Sequence, residues 1–99
     1  MPKVHEEVVS ELELAPPKQY RVILHNDDVT TMDFVVEILK TVFHKTHDEA
    51  EAIMWAVHET GRAVCGVYTY EIAETKVEQV RRAARQHGFP LLATMEEEE

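Results

Sequence analysis

Only one cysteine, Cys65, stands among the 99 residues, so the chain cannot close an internal disulfide, as suits a reducing compartment. No stretch approaches the roughly 18–20 apolar residues of a membrane span. The opening Met1-Pro2-Lys3-Val4-His5-Glu6-Glu7 also lacks the apolar core of a secretory signal. A cytoplasmic protein without a membrane partner is the expectation. There is no internal repeat, and Glu96 to Glu99 is the one low-complexity tract. Positive charge is scarce: 10 Lys and Arg face 19 Asp and Glu, for a net charge of -9. Such a balance repels phosphate backbones and argues against nucleic acid, despite Arg81, Arg82 and Arg85, which are expected on the solvated face of a helix.

What is present suits one globular domain, since 99 residues allow a single hydrophobic core and the hydrophobic share is 44%. The acidity is unevenly spread. Residues 1–15 carry -3 and Glu96 to Glu99 carry -4, which leaves -2 for residues 16–95. The expected organisation is a flexible acidic extension over 1–15, a core over 16–95 and an acidic tail over 96–99. Pro16-Pro17 marks the start of the core, because two fixed φ values and two missing N–H groups stop either regular structure.

Within the core, Tyr20 to Leu24 alternates as a strand ending near His25, with Tyr20, Val22 and Leu24 on one face. Thr30 is expected to cap a helix over residues 31–44, whose stripe is Val35, Ile38, Leu39, Val42 and Phe43. Thr46 and Glu49 form a capping box opening a second helix with the stripe Ala50, Ile53, Met54, Val57 and His58, stopped by Gly61. Arg62 to Thr69 predicts a strand covered on both faces, in which Gly66 marks a close approach or a bulge. Tyr70 to His87 predicts a third helix with Ala73, Val77, Val80 and Ala84 inward. Gly88 and Pro90 end it, and Leu91 to Met95 forms the last strand. The order β-α-α-β-α-β implies an α+β fold in which a three-stranded sheet packs against three helices.

Two stretches carry candidate chemistry. Asn26-Asp27-Asp28 follows the first strand, where such residues commonly make a local turn. His58 emerges at the edge of an apolar helix face, where a histidine commonly bonds a backbone carbonyl. Brought together, Asn26, Asp27 and His58 would present an amide oxygen, a carboxylate and a neutral imidazole nitrogen, all acceptors. Beside an apolar hole they would suit a protonated amine attached to a hydrophobic side chain. Other chemistries fit poorly. His44 and His47 lack a third metal ligand, Asp27 onward lacks the glycine and glutamate of a calcium loop, and Cys65 between Val64 and Gly66 has the setting of a packing residue. No cofactor, metal site or enzymatic activity is expected.

The blocks Tyr20-Arg-Val-Ile-Leu-His-Asn-Asp-Asp, Thr30-Thr-Met-Asp-Phe-Val, Ala56-Val-His-Glu-Thr-Gly-Arg-Ala-Val-Cys-Gly-Val-Tyr-Thr and Glu71-Ile-Ala-Glu-Thr-Lys-Val, in this order, resemble the ClpS family of adaptor proteins. The resemblance spans roughly residues 17–95. It implies an adaptor that binds proteins whose first residue is Leu, Phe, Tyr or Trp (N-degrons) and delivers them to a Clp AAA+ unfoldase. Asn26, Asp27 and His58 would hold the α-amino group, with Asp27 acting directly or through water and Asp28 as a structural carboxylate. Thr30 would shape the rim, Val35, Met54, Val57 and Leu91 would line the hole, and Met32 would disfavour β-branched first residues. Glu71 and Lys76 would contact the unfoldase's N-terminal domain, and a monomer is expected. The pattern has proline at Thr31 and an aliphatic residue at His25. A ClpS-like regulator that docks on the unfoldase without reading first residues is the alternative.

Overall fold

The computed structural model describes residues 16–99. The extension expected over 1–15 lies outside the described residues. The elements are β1 (Gln19–His25), α1 (Met32–Thr41), α2 (His47–Thr60), β2 (Arg62–Thr69), α3 (Tyr70–His87) and β3 (Leu92–Glu97). The expected α+β order is therefore observed. The strands form one antiparallel sheet in the order β2-β1-β3. The central place falls to β1. Val22 and Leu24 are fully buried against the helical layer, and Ile23, on the other face, is also buried.

The helix stripes supply the rest of the core: Phe34, Val35, Ile38 and Leu39 from α1, Ala50, Met54 and Val57 from α2, and Ala73, Val80 and Ala84 from α3. Phe34 extends the α1 stripe by packing against Phe89 and His87. The capping box of Thr46 and Glu49 is present, with Glu49 N–H donating to Thr46 Oγ1 at 3.2 Å and Thr46 N–H to Glu49 Oε1 at 2.9 Å. Gly61, at φ 94°, stops α2 in the left-handed conformation that glycine enters without steric cost.

Three of the differences from the expected boundaries have a local reason. The cap of α1 is Thr31, whose hydroxyl accepts from Phe34 N–H at 3.2 Å, because the Thr30 hydroxyl is already committed to Asp27. The same helix ends at Thr41, short of residue 44, since His44 turns left-handed (φ 55°) and Lys45 N–H returns to the Leu39 carbonyl at 3.0 Å. At the other end of the chain, β3 runs on to Glu97. Glu96 bridges Arg21 and Arg62 at 3.6 and 3.5 Å, and Glu97 meets Lys18 at 3.3 Å. The two Glu96 pairs lie at the helix-free side of the sheet, where His25 also bonds Thr94 Oγ1 at 2.7 Å.

Gly66 fulfils both expectations at once. The β1–β2 register jumps from Val22↔Gly66 to Ile23↔Val64, which bulges the chain at Cys65. A Cβ on Gly66 would sit 2.3 Å from the Tyr68 hydroxyl, so the Tyr68 ring occupies the space that a side chain would need.

Lys76 ties two helices together. Its Nζ donates to the Val42 carbonyl at 2.7 Å, satisfying an acceptor left over at the end of α1. Lys76→Met is expected to cost about 1.5–3 kcal/mol, the usual worth of a hydrogen bond to a charged group, and to lower the melting temperature by roughly 6–20 °C. An unchanged melting curve would show that water serves that carbonyl equally well.

Candidate functional site

The two stretches singled out in the sequence meet because of strand register. At the open end of the β1–β2 ladder His25 pairs with Arg62, so the chain leaving β1 runs beside the chain entering β2. Asn26 N–H donates to the Gly61 carbonyl at 2.8 Å, and Gly61 N–H in turn donates to Val57 at 3.0 Å. One turn before Gly61 stands His58. The corner after β1 is thereby fastened to the end of α2.

Between them opens a recess of about 240 Å³, lined by Asn26, Asp27, Asp28, Thr30, Met32, Val35, Met54, Val57 and His58. Val35, Met54 and Val57 are buried core residues and give it an apolar wall. Asn26 and His58 are exposed, Asp27 and Thr30 half-buried, so its polar groups remain within reach of water. The volume is ample for one aromatic ring, given that an apolar cavity of roughly 150 Å³ accepts benzene. Met32, 38% exposed, stands at the start of α1 and borders the recess.

The corner is held by Asp27. Its Oδ1 accepts from Val29 N–H at 2.8 Å and Thr30 N–H at 2.7 Å, while Oδ2 accepts from the Thr30 hydroxyl at 2.7 Å. Burial pushes this carboxyl up, but the bonds from the Thr30 backbone, the Thr30 hydroxyl and the Val29 backbone outweigh it and hold the group below its ordinary value. Asp27 is therefore ionised at neutral pH, with most of its acceptor capacity spent on the turn. Asp28, expected as the structural carboxylate, is exposed and lines the recess, and none of these turn bonds is its own. The turn bonds thus fall to Asp27 rather than to Asp28, while both carboxylates line the recess. The sequence carried no signal to separate two adjacent aspartates.

Of the expected lining residues, Leu91 alone is not on the recess. It is a buried member of the central core, placed there by the turn from α3 into β3. Of the expected docking pair, Glu71 is exposed in the first turn of α3, whereas Lys76 is half-buried on the Val42 carbonyl. Trp55 was not singled out from the sequence. Its indole is 48% exposed and meets the His58 ring edge-to-face at 5.9 Å between centroids. Its position three residues before His58 and off the apolar stripe was the available signal. The Cys65 thiol is 1% exposed, and burial pushes it up to about 12, so it is held as an unreactive thiol.

The description "ATP-dependent Clp protease adaptor protein ClpS" matches residues 15–94. The chain belongs to the ClpS family. Its relatives in that family include ATP-dependent Clp protease adapter proteins of Wolinella succinogenes, 53% identical over 92% of this chain and 89% of the relative, and of Syntrophus aciditrophicus, 59% identical over 82% and 76%. Among solved structures, that of Agrobacterium tumefaciens ClpS2 bound to L-phenylalaninamide aligns with a TM-score of 0.81 at 41% identity, covering 84% of this chain and 100% of that one. Among the described residues, no helix is long and apolar enough to cross a membrane. ClpS proteins are named as adaptors of a protease.

Proposed function

We propose that this ClpS protein binds the free α-amino group and bulky first side chain of proteins beginning with Leu, Phe, Tyr or Trp, and delivers them to a Clp AAA+ unfoldase for degradation. The observation that carries the reading is the recess itself, in which acceptors at the mouth adjoin an apolar wall. The α-amino group has a pKa near about 8, so at neutral pH it is largely an ammonium with three N–H donors. Asn26 and His58 would accept two of them, and a carboxylate of the corner would supply the counter-charge. Asp28 faces the opening, and Asp27 contributes through its charge, a water, or an acceptor site left by the turn. An aliphatic or aromatic side chain then fills the space against Val35, Met54 and Val57. A first residue branched at Cβ places a second carbon at the narrow mouth beside Met32 and is disfavoured. The A. tumefaciens protein binds a phenylalanine derivative with a free amine, the chemistry this recess suits.

Delivery would use α3, where Glu71 is available on the surface; Lys76 serves the fold as well, so Glu71→Lys is the cleaner variant for separating docking from recognition. The extension over 1–15 would engage the unfoldase during hand-over.

The decisive experiment compares labelled peptides that differ only at the first residue. Peptides beginning with Phe or Leu are expected to bind at least tenfold more tightly than one beginning with Ile. The Phe peptide should lose at least as much when acetylated, because acetylation removes the charge and leaves acceptors that the bound peptide covers without a donor, at about 1–3 kcal/mol each. Equal binding of all four would overturn first-residue recognition and favour a regulator that docks on the unfoldase alone.

A further inference from the structure

Resting on that reading, we infer that Trp55 forms a second subsite, an apolar shelf for the side chain of the peptide's second residue. Its indole stands half exposed against the His58 ring, which itself borders the recess. An exposed tryptophan is an uncommon expense of apolar surface unless something covers it. Trp55 is also the only tryptophan in the chain, and α2 turns it away from the core stripe of Ala50, Met54 and Val57.

The geometry follows from the chain of the ligand. With the amine at the mouth and the first side chain pointing inward, the peptide must leave outward past the rim. The second Cα lies only about 3.8 Å from the first. Its side chain projects away from the hole, since the hole is already occupied. It then has two apolar neighbours to choose between: the lip of Val29 and Met32 at the corner, and the face of Trp55 beyond His58. Met32 already borders the first-residue hole and Val29 offers only a small branched side chain, which leaves the indole as the broad flat surface outside the hole. A flat aromatic face accepts aliphatic and aromatic side chains with little demand on shape. The subsite would therefore prefer Leu, Met or Phe over Gly in second place without selecting one of them.

The test uses four measurements by fluorescence anisotropy on the full chain, with C-terminally labelled peptides beginning Phe-Leu and Phe-Gly bound to the parent and to Trp55→Ala. The parent is expected to favour Phe-Leu by roughly three- to tenfold, the worth of partly burying one aliphatic side chain. In Trp55→Ala that ratio should fall to about one, and Trp55→Phe should restore most of it. Taking a ratio cancels any effect passed through His58, which both peptides share. Tryptophan emission supplies a second readout: unlabelled Phe-Leu peptide should shift it to the blue more than Phe-Gly peptide does. A ratio that persists in Trp55→Ala, or a parent indifferent to the second residue, overturns the shelf while leaving first-residue recognition standing. Failure of both peptides to bind the parent overturns that recognition and the shelf with it.

Discussion

Replacing His58 with alanine is expected to weaken binding of a peptide that begins with phenylalanine by roughly ten- to a hundredfold, with almost no change in melting temperature. The side chain is exposed, and the ring's described neighbour is Trp55, so its removal opens no cavity in the core. Alanine is the better helix former besides. What disappears is one acceptor for the ligand's ammonium, and an N–H buried without a partner costs about 1–3 kcal/mol. The same reasoning fixes a pH dependence. An imidazole accepts through its free nitrogen only while neutral; once protonated it offers donors alone and repels the ammonium. Affinity of the parent should therefore fall once the pH is low enough to protonate the ring, and the His58→Ala variant should lack that fall. Calorimetric titrations at several pH values would measure both. Full affinity in the variant would remove His58 from the site.

Asp27→Ala is expected to damage stability and binding together. Its carboxylate accepts three hydrogen bonds within the turn, from Val29 N–H, Thr30 N–H and the Thr30 hydroxyl. Water competes at this half-buried corner, so the joint loss is put at about 1–3 kcal/mol, or roughly 5–15 °C in melting temperature. Without the turn, Asn26 and Thr30 lose the backbone that aims them at the recess, and peptide affinity falls with stability. Asp28→Asn is the matched contrast: an exposed carboxylate outside the turn network can be neutralised with little effect on melting but with a loss of affinity through the missing counter-charge. The stability difference between parent and Asp27→Ala should itself depend on pH. The native carboxyl is held below its ordinary value, so its contribution is complete above the ordinary carboxylate pKa of about 4. It is lost as the pH falls through the lowered native value. Thermal melts of the two proteins should therefore converge in acid. Equal melting temperatures at neutral pH would show that the turn holds without Asp27.

The elements were legible where one local signal acts alone. The capping box at Thr46, the glycine stops at Gly61 and Gly88, and the change from period 2 to period 3.6 at Thr69 and Tyr70 fix their boundaries through hydrogen bonds within a few residues. Where two residues compete for one role the local signal fails. Thr30 and Thr31 are equally good caps in isolation, and the choice went to Thr31 because Thr30 is drawn to Asp27. Asp27 and Asp28 are equally good turn formers, and which one bends back depends on backbone direction after the strand. Lys76 is a surface lysine by composition, yet it reaches a carbonyl 34 residues away in the chain. Leu91 follows the same logic in reverse, an apolar residue that could wall either the recess or the core.

By itself the sequence determined the helices and strands, the α+β order, the apolar stripes and the candidate acceptors Asn26, Asp27 and His58, because periodicity, caps and side-chain chemistry are properties of short stretches. The tertiary structure alone decided that these acceptors share one opening. That follows from the pairing of His25 with Arg62 and the bond from Asn26 to Gly61, which bring together segments more than thirty residues apart. It alone decided as well that Asp27 rather than Asp28 carries the turn bonds of the corner, and that the indole of Trp55 meets the ring of His58. Such facts depend on register and on which neighbour reaches a side chain first, and neither is written in any one stretch of the chain.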